Sequence, residues 1–508
     1  MRKSFSRRQF GTGIAGLATG AIAGSLTHAW ARAAEKPGTP CDDAIPSWAT
    51  ALQADLRRMA HDLTARLKPW SGPRLVVRPE DFAFRPREIA TRAIQSAIDS
   101  VAERGGGTVL LANGDYVSGT LDLRSNVRLE IARGARLLAS LDLKDYPERV
   151  AKRRTVMDTN MGMNQSLIFA EGCRNISLSG AGTIEGRGTK ENFAGSETVG
   201  ATPGRPFLIR VIDCQNVHIT GLRMKDAACW MQNYLNCEDL LIEHLHVENQ
   251  ANFNNDGLDI DGCRRVIVRH CLINAEDDAL CFKGASQRPM ENVLVENCRL
   301  YSSCNGIKFG TDSQGDFRRV IVRDLEVGGT PDDMRSLNRR RADSGISWEV
   351  VDGGTVEDIV ATRIRVVRAK SPLFLRLGDR GRVRPEDPRP PPGHLRRIVF
   401  DRITGQDTGP RGSYFIGLPD KPIEDVVMHD VHLPVTAASG AAPDQTTIPQ
   451  MRTDYPDAHM IDGVAPAYGL WARHVSGLTL HRVSFKPESA DARPEILATL
   501  ETSGVCRA

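Results

Sequence analysis

Two short stretches of this sequence carry a dense group of carboxylates. Residues 254–262 (NNDGLDIDG) contain Asp256, and residues 275–280 (AEDDAL) contain Asp277 and Asp278. If the chain coils with a period near their separation, the two stretches stack on adjacent turns, and carboxylates about 5 Å apart repel one another. Hydrolysis of a glycosidic bond needs two carboxyl groups, one protonated and one ionised. Crowding of like charges is what keeps one of them protonated near neutral pH.

The aspartates could also form a calcium site or serve ordinary turn chemistry. The spacing from Asp256 through Asp259 and Asp261 to Gly262 has some similarity to an EF-hand loop. The spacing is wrong for that loop, and no glutamate stands at the closing position. We therefore predict catalysis, with turn chemistry and metal binding as the alternatives.

A repeat that runs through most of the chain predicts how these stretches are positioned. A short β-branched motif recurs at intervals of 23 to 39 residues, often preceded by Asn or Asp, which marks a turn into a strand. A coil of this length holds three short strands but buries little alone, so coils must stack into one core. The spacing favours an all-β parallel β-helix, because the leucine-rich repeat signature is absent. The copies begin at Val217, Leu240, Val266, Val293, Val320, Ile359, Ile398 and Val426.

One segment before the repeats has helical character. Pro86–Arg104 carries an apolar stripe at helical spacing, begins with a proline and is followed by three glycines. We expect a helix that caps the open end of the solenoid. Two loops stand out: Thr330–Asp343 is charged, and Arg382–Gly393 is rich in proline. They either form solvated faces or line the cleft.

The motifs together resemble glycoside hydrolase family 28, the polygalacturonase-like, right-handed parallel β-helix enzymes. Asn255-Asp256-Gly257 resembles the family's Asn-Thr-Asp-Gly, and Asp277-Asp278-Ala279 resembles its Gly-Asp-Asp. The leading segment with Gly105-Gly106-Gly107 and Tyr116 also matches, and the similarity covers roughly Val77–Asp430. The chain looks like an atypical bacterial member.

The resemblance implies a role for each aspartate. Asp277 matches the family's general acid, and Asp256 and Asp278 match the residues that hold and activate the water. The family inverts configuration, so the acid and base carboxyl groups are expected to stand about 6.5 to 9.5 Å apart. No cofactor is implied.

Two departures from the family pattern bear on the substrate. Asn305 stands where the family has the histidine of Gly-His-Gly, and Glu349 falls where a lysine would clamp a galacturonate carboxylate. A glutamate repels a carboxylate, so we predict weak or no activity on plain polygalacturonate. Substrate contacts are predicted for Asn305 and for four further residues. Lys283, Lys308 and Arg376 are equally well ordinary surface residues. Trp230 is predicted to stack on a sugar, and it is equally well a core residue. These four are Trp230, Lys283, Lys308 and Arg376.

The N-terminus is predicted to be an export signal. Residues 1–34 hold the twin-arginine sequence Ser6–Gly11, a weakly apolar stretch and the small residues Ala31-Arg32-Ala33. The alternative, a membrane anchor, requires a longer apolar run. We expect passage through the Tat translocase, a periplasmic or secreted protein and no membrane span in the mature chain. The predicted organisation is a signal peptide at 1–34, an extension at 35–75, a β-helix catalytic domain at 76–490 and a tail at 491–508.

Composition is consistent with an ordinary globular protein. The 508 residues include 66 basic and 63 acidic side chains, a net charge of +3, so nothing favours nucleic acid or an anionic membrane as partner. The 11 cysteines form no CxxC pair and are expected to be mostly small core residues, although a disulfide after export stays open.

The overall prediction is an exported hydrolase that cleaves a plant-type or microbial polysaccharide or oligosaccharide, pectic substrates included. Two alternatives share the fold. A polysaccharide lyase of this shape uses calcium and a basic residue, which the aspartate trio disfavours. A non-catalytic carbohydrate-binding β-helix needs no stacked aspartate pair, and the fold alone does not decide among the three.

Overall fold

The computed structural model describes residues 45–67, 73–77, 89–153, 155–156, 164–194, 204–461, 463–499 and 502–507. The predicted signal peptide, residues 1–34, and the start of the predicted helix at Pro86 lie outside these ranges. None of the described helices combines the length and apolar character that crossing a membrane requires.

The described strands form two long sheets, A and B. The 21 strands of sheet A are β1 Arg74–Val77, β2 Gly107–Leu111, β3 Gly114–Ser118, β5 Val127–Ile131, β6 Ala135–Ala139, β8 Arg174–Gly180, β9 Thr183–Glu185, β11 Gln215–Thr220, β12 Arg223–Lys225, β14 Glu238–Glu243, β15 His246–Asn249, β17 Arg264–Arg269, β18 Leu272–Ala275, β20 Met290–Glu296, β21 Arg299–Ser302, β23 Phe317–Gly328, β25 Thr355–Val367, β27 His394–Gln406, β29 Ile423–Val435, β31 Val475–Pro487 and β33 Cys506–Arg507. The 12 strands of sheet B are β4 Leu121–Asp122, β7 Ser166–Glu171, β10 Phe207–Ile212, β13 Gln232–Leu235, β16 Leu258–Asp261, β19 Leu280–Lys283, β22 Asn305–Phe309, β24 Ala342–Val350, β26 Ala369–Leu377, β28 Ser413–Ile416, β30 Leu470–Arg473 and β32 Ile496–Ala498.

Strands of successive coils lie parallel and in register, which confirms the predicted parallel β-helix. Val266 pairs with Leu240 on one side and with Val293 on the other, so equivalent positions of the sequence repeat are neighbours in space. In the later coils two strands merge into one long strand. β23, for example, pairs with both β20 and β21. One continuous apolar core fills the interior.

The Asn and Asp residues before the repeat motif have a specific conformation. Asn175, Asn216 and Asp239 adopt φ of 55°, 57° and 60°, and the same holds for Asn292, Asp358 and Asp425. Asn and Asp tolerate this left-handed region better than most residues. Their side chains also link neighbouring coils, since Asn216 donates its amide to Asn175 Oδ1 at 2.9 Å. The sequence preference therefore marks a bend shared by the stacked coils.

The predicted cap is present but shorter than expected. Helix α2 spans Thr91–Glu103, and the described residues before it, Ile89 and Ala90, are not helical. Ile94, Ile98 and Val101 join the apolar core, so α2 covers its N-terminal end. The helix stops before three glycines with positive φ. At Gly107 a Cβ would lie 2.2 Å from the carbonyl oxygen of Pro73.

A second helix lies in the segment expected to be an extension. Helix α1, Ser47–Arg66, packs its apolar stripe on the outside of sheet A. It covers the middle residues of the repeat motifs, which point away from the core because side chains alternate along a strand. The covered row is Leu241, Ile267, Leu294, Ile321, Val360 and Val399. At the other end of the chain, residues 491–508 carry β32 and β33, which extend both sheets.

Most of the described cysteines stack as small core residues, as predicted. Nine are free thiols, of which seven are buried. Some follow one another from coil to coil, and the Cys237 amide donates to Cys263 Sγ at 3.2 Å. Cys506 is disulfide-bonded.

Candidate active site

A polar row crosses the outer face of sheet B. Because the strands are in register, one outward position per coil lines up from β13 to β24, as Asn233, Asp259, Cys281, Lys308 and Ser347. The adjacent inward positions form a row of large apolar residues in the core, namely Tyr234, Ile260, Phe282, Phe309 and Trp348. The alternation of the strands thus builds a polar floor directly on the solenoid core.

The two aspartate stretches meet at the start of β16 and β19. The amide of Gly257, next to Asp256, donates to the carbonyl oxygen of Asp278 at 2.9 Å. The coils approach so closely here that a Cβ on Gly257 would lie 2.6 Å from the Ala279 carbonyl oxygen. The structure therefore brings Asp256, Asp277 and Asp278 onto neighbouring coils, as the spacing predicted.

Asp278 is the member of the trio that is best stabilised as an anion. Lys308 Nζ lies 3.2 Å from Oδ2, and Asn305 Nδ2 donates to Oδ1 at 2.6 Å. Burial by itself raises the pKa of Asp278, but Lys308, Lys283 and the Asn305 hydrogen bond together bring that pKa below its ordinary value. Asn305, which stands at the position expected for the family histidine, thus stabilises the Asp278 carboxylate by a direct hydrogen bond.

Asp277 has the opposite electrostatic environment. Burial and the adjacent Asp278 raise the pKa of its carboxyl, although Lys308 and Lys283 oppose the shift. A carboxylate oxygen of Asp277, one of Asp278 and the sulfur of Cys304 all lie within 4.8 Å of one another, so these two carboxyls are closer than the about 6.5 to 9.5 Å expected for an inverting acid and base. Neighbouring carboxyls with pKa values driven apart are the arrangement that separates an acid from a base.

Asp256 is buried together with Asp259, and one lysine serves both. Lys283 Nζ lies 3.6 Å from Asp256 Oδ2 and 3.2 Å from Asp259 Oδ1. Burial and the surrounding carboxylates raise the pKa of Asp256 well above its ordinary value, and burial raises that of Asp259 to about 7 despite Lys283. Within the described chain, the buried Asp256 Oδ1 accepts no hydrogen bond.

Glu349 is buried beside Lys308, the second lysine of the site. Its Oε2 lies 3.9 Å from Lys308 Nζ, and Ser347 donates its hydroxyl to Oε1 at 2.6 Å. Burial raises the pKa of Glu349 to about 7, against the influence of Lys308. No donor in the described part of the chain hydrogen-bonds Glu349 Oε2. The site therefore presents carboxylates whose charge its lysines already balance, rather than free cations.

The structure places the remaining predicted contact residues differently. Trp230 lies at the cleft, only 6% exposed, with Lys283 Nζ 4.4 Å from its ring centre and Phe207 packed edge-on against it. Its ring is largely covered, so its role in stacking a sugar stays a prediction. Arg376 is 1% exposed and donates Nη2 to the carbonyl oxygens of Gln450 and Met451. Its guanidinium holds a loop over sheet B and is not exposed at the polar floor.

Sequence reasoning missed three residues that belong to this site. Asp259 was noted only as part of an EF-hand-like spacing, although strand alternation from Asp261 would have placed it on the outer face. Glu349 was interpreted only as a missing lysine, and its pairing with Lys308 required the structure. Tyr455 reaches the site from a loop far along the chain, and no local pattern marks it.

The described residues contain two groups that could offer three ligand atoms to a metal. One is Asp277, Asp278 and Cys304, where Lys308 already neutralises Asp278 and burial raises the pKa of the Cys304 thiol well above its ordinary value. A buried thiol that keeps its proton is a poor metal ligand. The other group is Asp401, His429 and Asp430 on sheet A, where arginines pair with both carboxylates.

The chain is similar to known sugar-cleaving enzymes. The model of "Glycosyl hydrolases family 28" matches residues 129–346. A polygalacturonase of Ralstonia solanacearum is 26% identical over 397 residues, which is 69% of this chain and 70% of that protein. A protein of Vitis vinifera described as a probable polygalacturonase is 24% identical over 53% of this chain, but the match spans only 56% of that protein's length. Among solved structures, an exopolygalacturonase from Thermotoga maritima superposes with a TM-score of 0.62 at 18% identity, covering 75% of this chain and 91% of that one.

Proposed function

We propose that this chain, whose residues 129–346 match the model of glycosyl hydrolases family 28, hydrolyses a glycosidic bond in a pectic polysaccharide or oligosaccharide by inverting acid/base catalysis. The observation that carries this proposal is the divergence within one carboxylate pair. Asp277 has a raised pKa, and the adjacent Asp278 has a lowered one. One protonated and one ionised carboxyl group are what single displacement requires.

In the proposed reaction the Asp277 carboxyl gives its proton to the glycosidic oxygen as the bond from that oxygen to the anomeric carbon breaks. A water molecule attacks the same carbon from the opposite side and transfers a proton to the ionised Asp278. Asp256, buried beside Asp259 and Lys283, orients the water through its unpaired Oδ1. Afterwards Asp277 is ionised and Asp278 is protonated, and exchange with solvent restores the starting state.

The charges of the floor favour substrates without a dense row of free carboxylates. Lys283 is paired with two aspartates, and Lys308 with Asp278 and Glu349. A galacturonate carboxylate would have to displace one of these partners or lie beside an unneutralised acid, which costs free energy in a buried site. We therefore expect activity on esterified, substituted or neutral pectic segments and little on plain polygalacturonate.

The cellular setting belongs to the same proposal. The twin-arginine stretch within residues 1–34 supports export through the Tat translocase to the periplasm or beyond. The catalytic unit is proposed to be residues 76–490, with Trp230 and Arg376 contributing to substrate binding directly or through the loop that Arg376 holds.

A substrate panel tests the proposal. Purified protein would be incubated with polygalacturonate, methyl-esterified pectin, substituted galacturonans and neutral polysaccharides, and the products separated by chromatography. We expect hydrolysis of at least one pectic polymer, with inverted anomeric configuration in early NMR spectra. Retention of configuration would contradict the mechanism. Products that absorb in the ultraviolet would indicate a lyase, and binding without cleavage a non-catalytic protein. Rapid endo-cleavage of polygalacturonate would contradict the expected specificity.

A further inference from the structure

A long insertion between β29 and β30 covers the outer face of sheet B beyond the carboxylate cluster. From β26 onward the polar row is continued by the apolar side chains of Phe374, Tyr414 and Trp471. Ala458 and Ile461 of the insertion pack on them and complete an apolar cluster. The polar floor therefore ends at β24, although the sheet itself continues.

The segment 448–461 of this insertion is attached firmly before its tip. The buried Arg376 guanidinium donates to the carbonyl oxygen of Met451 at 2.7 Å. The Asp379 amide donates to the Arg452 carbonyl oxygen at 2.8 Å, and Arg452 Nε returns a hydrogen bond to the Asp379 carboxylate at 2.9 Å. Arg376 pairs in the sheet with Glu349, so this attachment stands beside the catalytic floor.

The same segment is attached again after its tip. His459 Nε2 lies 2.9 Å from Asp343 Oδ1, and the Asp343 amide donates to the Cys304 carbonyl oxygen at 2.8 Å. The sulfur of Cys304 lies with the carboxylates of Asp277 and Asp278. Two anchors, one beside Glu349 and one beside Cys304, therefore hold the intervening tip at the edge of the carboxylate cluster.

Tyr455 is the side chain that this tip presents. It is 54% exposed, and the Arg380 guanidinium lies 5.9 Å from its ring centre. Arg380 in turn donates to the carbonyl oxygen of Thr311, which closely follows Lys308 along the chain. Lys308 by itself lowers the pKa of Tyr455, but the carboxyls of Glu349, Asp278 and Asp277 oppose it and the pKa stays above its ordinary value, so the phenol is neutral.

We propose that residues 448–461 form a wall that ends the cleft, with Tyr455 stacking on the sugar unit beside the wall, so that cleavage occurs only near one end of the substrate chain. From β19, which follows Asp278, to β24 the floor extends two strand spacings, about 10 Å. That distance leaves room for only a short run of sugar units between the reacting bond and the wall. An exposed aromatic ring fits the apolar face of a pyranose. This inference rests on the proposed function and adds exo action and a substrate-binding residue to it.

The first test uses a size-fractionated, methyl-esterified pectin labelled with a fluorophore at its reducing end. We expect wild-type protein either to release a very short labelled product at once or to shorten the labelled chain stepwise, depending on which end enters. Viscosity should fall slowly relative to the release of new reducing ends. Labelled fragments of intermediate length, with a rapid fall in viscosity, would overturn the inference while leaving the hydrolase proposal intact.

The second test replaces the ring. Tyr455→Ala should raise KM about tenfold and change kcat less, because a stacking surface is lost while Asp277 and Asp278 are untouched. Tyr455→Phe keeps the ring and should stay within about threefold of the wild type. Thr446→Ala is the matched control, since the Thr446 hydroxyl donates to Asp444 in an exposed turn of the same insertion.

The outcomes separate the two proposals. If wild-type protein hydrolyses nothing in the substrate panel, the proposed function fails. If wild type is active and Tyr455→Ala matches Thr446→Ala in KM, kcat and product lengths, the hydrolase proposal stands and Tyr455 has no part in binding. The unfolding temperatures of all three variants show whether a rise in KM is caused by misfolding.

Discussion

Two rows of outward side chains run along the solenoid on different sheets, and they have opposite chemistry. On sheet A the row that includes Leu241, Ile267 and Leu294 is apolar, and helix α1 covers it. On sheet B the corresponding row is polar and includes Asp259 and Lys308. Both rows arise from the same parallel, in-register stacking, which yields a surface covered by a helix in one place and a charged, polar surface in the other.

The comparison shows what stacking does to like residues. Apolar side chains placed above one another create a continuous stripe, and burying it under a helix stabilises the fold. Carboxylates placed above one another repel, Lys283 and Lys308 offset that repulsion, and burial with the neighbouring carboxylates raises the pKa of Asp256. The first row should therefore govern stability and the second should govern activity.

The largest expected effect lies in the aspartate trio beside the charged row. Asp277→Asn removes the transferable proton but keeps the shape, so hydrolysis of a natural glycosidic bond should fall by about 10² to 10⁴. A substrate with a good leaving group needs less protonation and should lose less. Asp256→Asn and Asp278→Asn should lower the rate of hydrolysis of both substrates to a similar extent. Initial rates on the two substrates, with thermal unfolding as a control, check this, and full activity of Asp277→Asn would refute the assignment.

The next effect lies in the apolar row. Ile267 is fully buried beneath α1, so Ile267→Ala should lower the free energy of unfolding by about 2–4 kcal/mol. The milder Ile267→Val should cost about 1 kcal/mol. Because the row is remote from the carboxylates, kcat should not change at a temperature where the variants are folded. Denaturant unfolding measures the first quantity, and a loss of kcat as large as the loss of stability would mean that the two rows are not independent.

A pH titration of stability separates the rows further. The folded pKa of Glu349 is about 7, raised by burial, whereas an unfolded glutamate titrates near 4.3. The folded state therefore binds the proton more tightly, and the stability that this group contributes is complete below about pH 4 and is lost as pH rises through 7. Over that window Glu349 accounts for a decline of up to about 3 kcal/mol.

Glu349→Gln should remove that part of the decline while leaving the rest of the pH profile in place. Unfolding free energies of variant and wild type at pH 4.5 and pH 7.5 give the comparison. The same slope in both proteins would show that Glu349 does not retain its proton. Ile267→Val serves as a matched control, since it should lower both values equally.

The smallest effect concerns charge on the helix-covered side. Asp55 of α1 lies 2.9 Å from Arg319 Nη2, and both side chains are more than a third exposed. Asp55→Asn should lower stability by no more than about 0.5 kcal/mol, because exposed ion pairs are screened by solvent. A loss comparable to that of Ile267→Ala would mean that ion pairs, rather than the apolar row, attach α1.

Some features of the site followed from local sequence because they depend on the repeat period. Asp256 and Asp277 lie about one coil apart along the chain, so stacking had to bring them together whatever the details of the turns. The β-branched motifs determined the parallel β-helix in the same way, since coils with one exposed apolar edge have to stack. The family resemblance then added expected roles for the aspartates.

Other features were decided only by tertiary structure. The sequence contains the apolar stripe of α1 and the outward row at Ile267, but nothing local to either indicates that they meet. Glu349 was expected to repel substrate carboxylates, and only cross-coil packing shows that it lies beside Lys308. The contacts that Arg376 makes and the position of Tyr455 depend on the path of an insertion that lies more than 70 residues after Arg376 in the chain. The physical reason is that a repeat fixes the spacing between stacked coils, whereas insertions and added helices find their positions through long-range packing and charge pairing that no local pattern records.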